Sequence, residues 1–239
     1  MKILFTLICS LALLCGCAEI RESIQSLSGP PDTSQEWLDK SISLYEEGNL
    51  DQALVAVDKA IETNGKNSEA RLGGQAWIQK GLILKEMGEL QKSLDAFDKA
   101  LELNPHSTTA LCHKATLYAY MGLAIDEMTA YNLALEIDPL LETALFGKAN
   151  ALLKMEKNVE AVSAFDKSLE VNAKNAPALA GKGAALYKLE RIQEALDAFE
   201  QSIRVDPTYR EAWAGKSVCL QKLGREEEAQ EAMRKAREF

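Results

Sequence analysis

The sequence predicts an all-α chain, an α-solenoid of six helix-turn-helix repeats, on three observations. The first is local. Trp77–Pro105 reads as two amphipathic helices: Trp77, Gly81 and Leu84 share one helical face, and Leu94, Phe97 and Leu101 share another, with Ala100 beside them. Gly88 breaks the first helix where a left-handed residue is needed, and Asn104-Pro105 stops the second. The second observation is a period. Gly88 is followed 34 residues later by Gly122 and Pro105 by Pro139, while Phe97 returns as Tyr131, Phe165 and Phe199. The third is the ends. Helix positions that should face a neighbouring repeat are apolar in the interior, but read Glu36/Ser43 in the first repeat and Gln230/Arg237 in the last. A stacked array needs polar outer faces of this kind.

The period and its residues resemble the tetratricopeptide repeat (TPR) family, whose pattern is W-x2-L-G-x2-Y…A-x3-F…P. The resemblance implies a right-handed TPR superhelix with repeats at 34–67, 74–107, 108–141, 142–175, 176–209 and 210–239. Six repeats are expected to be the whole array. The fold is a scaffold used for many partners, so it does not select one.

Residues 1–16 read as an address. Lys2 is a minimal positive region and Ile3–Leu14 an apolar run too short to span a bilayer as a helix. The run ends in Leu14-Cys15-Gly16-Cys17, which resembles the lipobox of prokaryotic lipoproteins, although Cys15 stands where a small or β-branched residue is commoner. By that resemblance Cys17 becomes the lipidated first residue. Ordinary secretion with Cys17 incidental is the alternative. Residues 17–33 form a lipidated cysteine and flexible tether, with Ser28-Gly29-Pro30-Pro31 as spacer. Thr33 and Glu36 make a capping box for the first helix. Cys112 and Cys219 lie in repeats three and six, too far apart for a disulfide, and are expected to be free packing thiols.

Within the repeats, helix A carries a stripe at positions 4, 8 and 11, as in Trp37/Ser41/Leu44 and Trp213/Ser217/Leu220, and these large residues are read as core. Helix B answers with a small residue at position 20: Ala53, Ser93, Ala161, Ala195 and Ala229. Repeat three has Glu127 there, read as a local shift of the helix crossing, with a functional carboxylate as the alternative. Six extra residues, Ser68–Gly73, separate the first two repeats. They either lengthen helix A of repeat two or form a loop, and Gly73-Gly74 favours a break. Lysine fills position 7 throughout: Lys40, Lys80, Lys114, Lys148, Lys182 and Lys216. It departs from the family's Leu and is read as a structural ladder. Each stem covers apolar surface while the ammonium reaches water or a helix B carboxylate.

The formal net charge of −9 argues against nucleic acid as a partner. Catalysis finds no support. Neighbouring Cys112 and His113 point about 100° apart on a helix and make no nucleophile–base pair. No metal-ligand spacing or phosphate loop occurs, so no metal or cofactor is expected. By resemblance, the concave surface uses helix A positions 2, 5, 9, 12 and 13. In the central repeats it presents Cys112, Thr116, Tyr120, Phe146, Asn150, Lys154, Ala180, Ala184, Tyr187 and Lys188. TPR domains that clamp the acidic tails of cytosolic chaperones use Lys or Arg and Asn at positions 5 and 9. Here only Asn150 fits. The expected function is a non-catalytic, membrane-anchored adaptor that faces the periplasm or cell exterior. It would bind a peptide or helix of another envelope protein in the groove. The alternatives are a self-associating structural spacer of the cell envelope, a homo-oligomer, and an assembly factor for a pilus or outer-membrane machine.

Overall fold

The computed structural model describes residues 33–67 and 70–239. The address and most of the tether, including Cys17, lie outside the described residues. Twelve helices and no strand are found among them. They are α1 (Ser34–Glu46), α2 (Leu50–Asn67), α3 (Ala70–Glu86), α4 (Leu90–Leu103), α5 (Thr108–Met121) and α6 (Ala124–Ile137). The second half holds α7 (Glu142–Lys154), α8 (Asn158–Val171), α9 (Ala176–Lys188), α10 (Ile192–Val205), α11 (Arg210–Lys222) and α12 (Glu226–Glu238). Odd-numbered helices are the A helices and even-numbered ones the B helices. Each helix packs on the next, and each A helix also touches the A helix of the following repeat, whereas no two B helices meet. The A helices therefore line the inner, concave side of the array.

Local chemistry fixes where these helices begin and turn. Thr33 caps α1: its hydroxyl accepts from the Glu36 N–H at 3.2 Å, and its own N–H donates to the Glu36 carboxylate at 3.1 Å. Ser107 and Asn175 cap α5 and α9 from one side only, each side-chain oxygen accepting from the N–H three residues on. Between helices A and B the chain passes through a left-handed residue at repeat position 15. It is Gly48, Gly88, Gly122 or Gly224 in four repeats, with φ from 74 to 80°. In repeats four and five it is Glu156 and Glu190, at φ 60 and 58°. A side chain there costs roughly 1–2 kcal/mol. Both glutamates reach forward to a lysine of the next repeat, Glu156 to Lys188 and Glu190 to Lys222.

Within a repeat, small residues at positions 8 and 20 bring A and B close enough for a hydroxyl to donate to the facing main chain. Ser41 donates to the Ala53 carbonyl, Ser93 to Gly81 and Ser217 to Ala229, at 2.7–2.9 Å. The hydroxyl sits on either helix and the carbonyl on the other. Positions 1 and 27 repeat the device, with Ser34 donating to Ala60 and Ser202 to Ala176.

Between repeats two devices recur. The first is steric. The helix B aromatic at position 24 lies over a glycine at position 6 of the next helix A: Tyr131 over Gly147, Phe165 over Gly181 and Phe199 over Gly215. A Cβ on those glycines would lie only 2.2–2.4 Å from the ring. The second device is the lysine ladder. Each position-7 ammonium bonds the position-25 side chain of the preceding repeat: Lys80 to Asp58 at 2.7 Å, Lys114 to Asp98, Lys148 to Asn132 at 2.8 Å, Lys182 to Asp166 at 2.6 Å and Lys216 to Glu200 at 2.8 Å. Burial pulls the Lys114 pKa down, and the hydrogen bond and charge of Asp98 more than reverse it. The Lys40 ammonium lies 5.3 Å from the Trp37 ring.

Two expectations are corrected here. Gly73-Gly74 does not break the chain, because α3 runs through both as one helix and residues 70–73 lengthen it at its start. Gly73 is needed for space instead: a Cβ there would lie 2.6 Å from the Asn64 amide nitrogen. The tryptophans are half-buried platforms rather than full core, with Lys59 over Trp37 at 4.3 Å, Lys80 over Trp77 and Lys216 over Trp213. Gly181→Ala should lower stability by about 1–3 kcal/mol despite alanine's higher helix propensity, because the Phe165 ring has no free volume to yield. Urea unfolding of the variant measures this; a rise in midpoint would show that the ring relocates freely.

Candidate functional site

The concave wall is built from one stripe of each A helix, so its chemistry follows from how far each position stands above the core. Cys112 and Ala180, expected on the groove, are buried instead, at 7% and 5% exposure. Position 5 sits deep where its side chain is small. Phe146, at the same position, is large enough to reach out. Its ring is half-buried and packs 6.3 Å from Phe165, centroid to centroid, tilted by 58°. Tyr187 is also half-buried, packed against the core of repeats five and six. Asn150 and Ala184 are half-buried, and Thr116, Tyr120, Lys154 and Lys188 are exposed. Thr116 spends its hydroxyl on the His113 carbonyl of its own helix. The structure thus brings together a surface with two aromatics fixed at their base, a carboxamide, small residues and a lysine at the rim.

Buried titratable groups lie beneath this surface. Burial pushes the Cys112 thiol up to about 11 and the Cys219 thiol likewise, the opposite of what a nucleophile needs. Both are free and buried, as expected. Burial lowers the His113 pKa, helped by the charge of Lys85, and its ring stacks on Phe97 at 5.9 Å. Cys112 and His113 are therefore packing groups. Among the described residues no group of three or more His, Cys, Asp or Glu is placed to hold a metal, and no helix is long and apolar enough to cross a membrane.

Glu127 is only 4% exposed and Ala115, at the facing position, is fully buried, so the side chain is enclosed by the packing of α5 and α6. Burial raises its pKa, and the charge of Lys154 on the next repeat opposes the rise. Burial also raises the Tyr131 phenol, with Glu127 and Cys112 adding to it.

Sequence reasoning placed the groove in repeats three to five and missed a cavity of about 420 Å³ at the N-terminal end of the same concave face. It lies between α1, α3 and the turn from α4 into α5, and its lining includes Gln35, Ile42, Arg71, Ile78, Gln79 and Asn104. Gln79 is buried, and its amide nitrogen lacks a hydrogen-bond partner. Such a donor costs about 1–3 kcal/mol. The signal available in sequence was the pair Gln75 and Gln79, one helical turn apart on a concave-facing stripe.

Comparisons with known proteins agree on the repeat. A family model described as the tetratricopeptide repeat matches residues 74–107 and 176–209, and a second of the same description matches 211–238. No curated protein matches the chain. Among solved structures, a tetratricopeptide repeat protein from Parabacteroides merdae superposes with a TM-score of 0.71 at 23% identity, over 86% of this chain and 79% of that one. PilF of Pseudomonas aeruginosa gives 0.72 at 16% identity, over 83% and 88%. YrrB, described as a TPR protein with an unusual peptide-binding site, gives 0.59 at 24% identity, over 76% and 90%. At these identities the likeness concerns the fold.

Glu127→Gln should stabilise the protein at pH 8 by about 1–2 kcal/mol, since it removes the cost of burying a charge. The sign follows from linkage. A raised carboxyl pKa means the folded state binds the proton more tightly, so this group's contribution falls as pH rises from the unfolded value through the folded one. The gain of the variant over wild type, read from urea midpoints, should therefore shrink at pH 4.5. An equal gain at both pH values would place Glu127 outside the titration.

Proposed function

The chain is a tetratricopeptide-repeat protein, and from that premise we propose that it is a non-catalytic adaptor holding a peptide or helix of another envelope protein in its concave groove. A lipid on Cys17 anchors it to a prokaryotic membrane, with the array facing the periplasm or the cell exterior. The observation that supports groove binding most is the pair Phe146 and Tyr187. Each ring is half-buried, Phe146 against Phe165 and Tyr187 against the core of repeats five and six, where the small Ala184 also packs. Rigid aromatics beside small residues lose little entropy when a partner is anchored. The likeness to YrrB accords with a peptide ligand. Support for the anchor comes from Leu14-Cys15-Gly16-Cys17 and the proline-containing spacer that follows. An assembly factor for a pilus or outer-membrane machine is one form that such an adaptor takes.

A second reading, self-association, is favoured by the outer face of α6. Ile125, Leu133, Ile137 and Leu140 form an exposed apolar stripe, with Ile125 at 77% and Leu140 at 70% exposure. Other repeats place charged or polar residues at most of these positions, such as Asp51 and Lys59. A twofold contact would cover the stripe in both copies.

One purification separates the two. Phe146→Ala and Tyr187→Ala should each weaken capture of the envelope partner by roughly tenfold or more, as expected of interface anchors, while the protein sediments as a monomer. Capture unaffected by both changes would remove the groove. A dimer abolished by Ile125→Glu would put the second reading in its place.

A further inference from the structure

The outer face of α6 departs from the residues that the other repeats place there. Position 18 is charged or polar in repeats one, two, five and six, as in Asp51 and Gln193, but is Ile125 in repeat three. Position 26 is Lys59, Lys99 and Lys167 in repeats one, two and four, but is Leu133 in repeat three. Position 33 is Lys66 and Lys174 in repeats one and four, and Leu140 here. Ile125, Leu133 and Ile137 stand eight and four residues apart, which sets them in one row along the helix. They are 77%, 44% and 38% exposed, so the row faces outward. A contiguous exposed apolar row of this kind marks an interaction surface.

Charge says what covers it. Among the six B helices, α6 alone carries no lysine or arginine. Asp126 lies at the start of the row and Glu136 at its end. Both are exposed, and neither makes an ion pair among the described residues. They are about 15 Å apart along the helix, and both fall within the arc spanned by Ile125 and Ile137. An acid at each end is a poor match for a second copy. A twofold contact with antiparallel helices sets Asp126 against the other copy's Glu136, and a parallel one sets each acid against itself. The same acids repel an anionic bilayer surface. A cation at each end of an apolar stripe matches them. There is also room for a helix, because no two B helices meet and α6 is open along both sides.

We propose that the outer face of α6 docks a basic amphipathic helix of another protein. The apolar stripe of that helix covers Ile125, Leu133 and Ile137, and a lysine or arginine near each end meets Asp126 and Glu136. The row supplies the affinity, and the acids reject helices with acidic flanks. This surface shares no residue with the groove around Phe146 and Tyr187, so the two stand or fall separately.

The test titrates the full-length chain with a fluorescein-labelled, end-capped helical peptide of 18 residues. It has leucines along one face, two lysines at each end, and alanine and glutamine elsewhere. A second peptide scatters the same leucines around the helix, and a third has glutamate in place of each lysine. Anisotropy should show the first binding at least tenfold more tightly than either of the others. Ile125→Gln combined with Leu133→Gln installs the residues that repeat five carries at those positions, Gln193 and Gln201. This variant should bind at least tenfold more weakly with an unchanged urea midpoint. Asp126→Asn with Glu136→Gln should weaken binding and flatten its dependence on salt, and Phe146→Ala should leave it unchanged. No saturable binding, equal affinity for the scattered peptide, or full affinity in the glutamine variant would overturn the proposal. So would a dimer that the glutamine variant disperses, which gives the face to a second copy. Binding to phosphatidylglycerol vesicles that the variant loses would give it to lipid and overturn the proposal as well.

Discussion

The second half of the array depends on one steric constraint: an aromatic ring of helix B packs against a helix A of the next repeat that has no side chain to resist it. Tyr131, Phe165 and Phe199 do this against Gly147, Gly181 and Gly215. The contact sets how closely one repeat approaches the next. The lysine ladder then restricts how repeats rotate, because each ammonium bonds the residue that follows position 24 of the preceding repeat. Half-exposed ion pairs contribute little individually. Their value here is registry, since the four ion pairs and the Lys148–Asn132 hydrogen bond join the same two positions.

The constraint relaxes toward the N-terminus. Phe97 stacks on His113 instead of meeting a glycine of repeat three, and it fits against Gly81 within its own repeat. Repeat one has Val57 in place of the ring, and Gln79 stands where later repeats have glycine, with its amide nitrogen unpaired. The lengthened α2 and α3 lie at the same junction. A tight half of three glycine notches and a looser half with a cavity therefore share one concave surface. Rigid aromatic anchors belong to the first half, and carboxamides and Arg71 to the second.

Much of this was legible in the sequence. The helix pairs, their turns, the capping box at Thr33 and the apolar positions between repeats follow from a period of 34 and from residues with one local meaning each, such as Gly88 or Pro105. The lysine row was visible as a row, but its acceptors sit 16 residues earlier, or 22 across the extra segment, and only stacking brings them together. Cys112 and Ala180 illustrate a different limit. A position number says which way a side chain points, while its length decides whether it clears its neighbours. Glu127 was visible as an exception, yet whether a helix pair opens around a carboxylate or buries it is decided by packing. The glycine pair at 73–74 was misread for a similar reason: glycine that permits close approach and glycine that permits a kink are the same letter.

The most direct test places a photoreactive residue at position 187, in the concave groove, and separately at position 125, on the outer face of α6, in intact cells. The account expects position 187 to crosslink to one dominant other protein and position 125 to form no product with a second copy of this chain. Crosslinks from 125 alone, or products from 187 that contain only this chain, would contradict it.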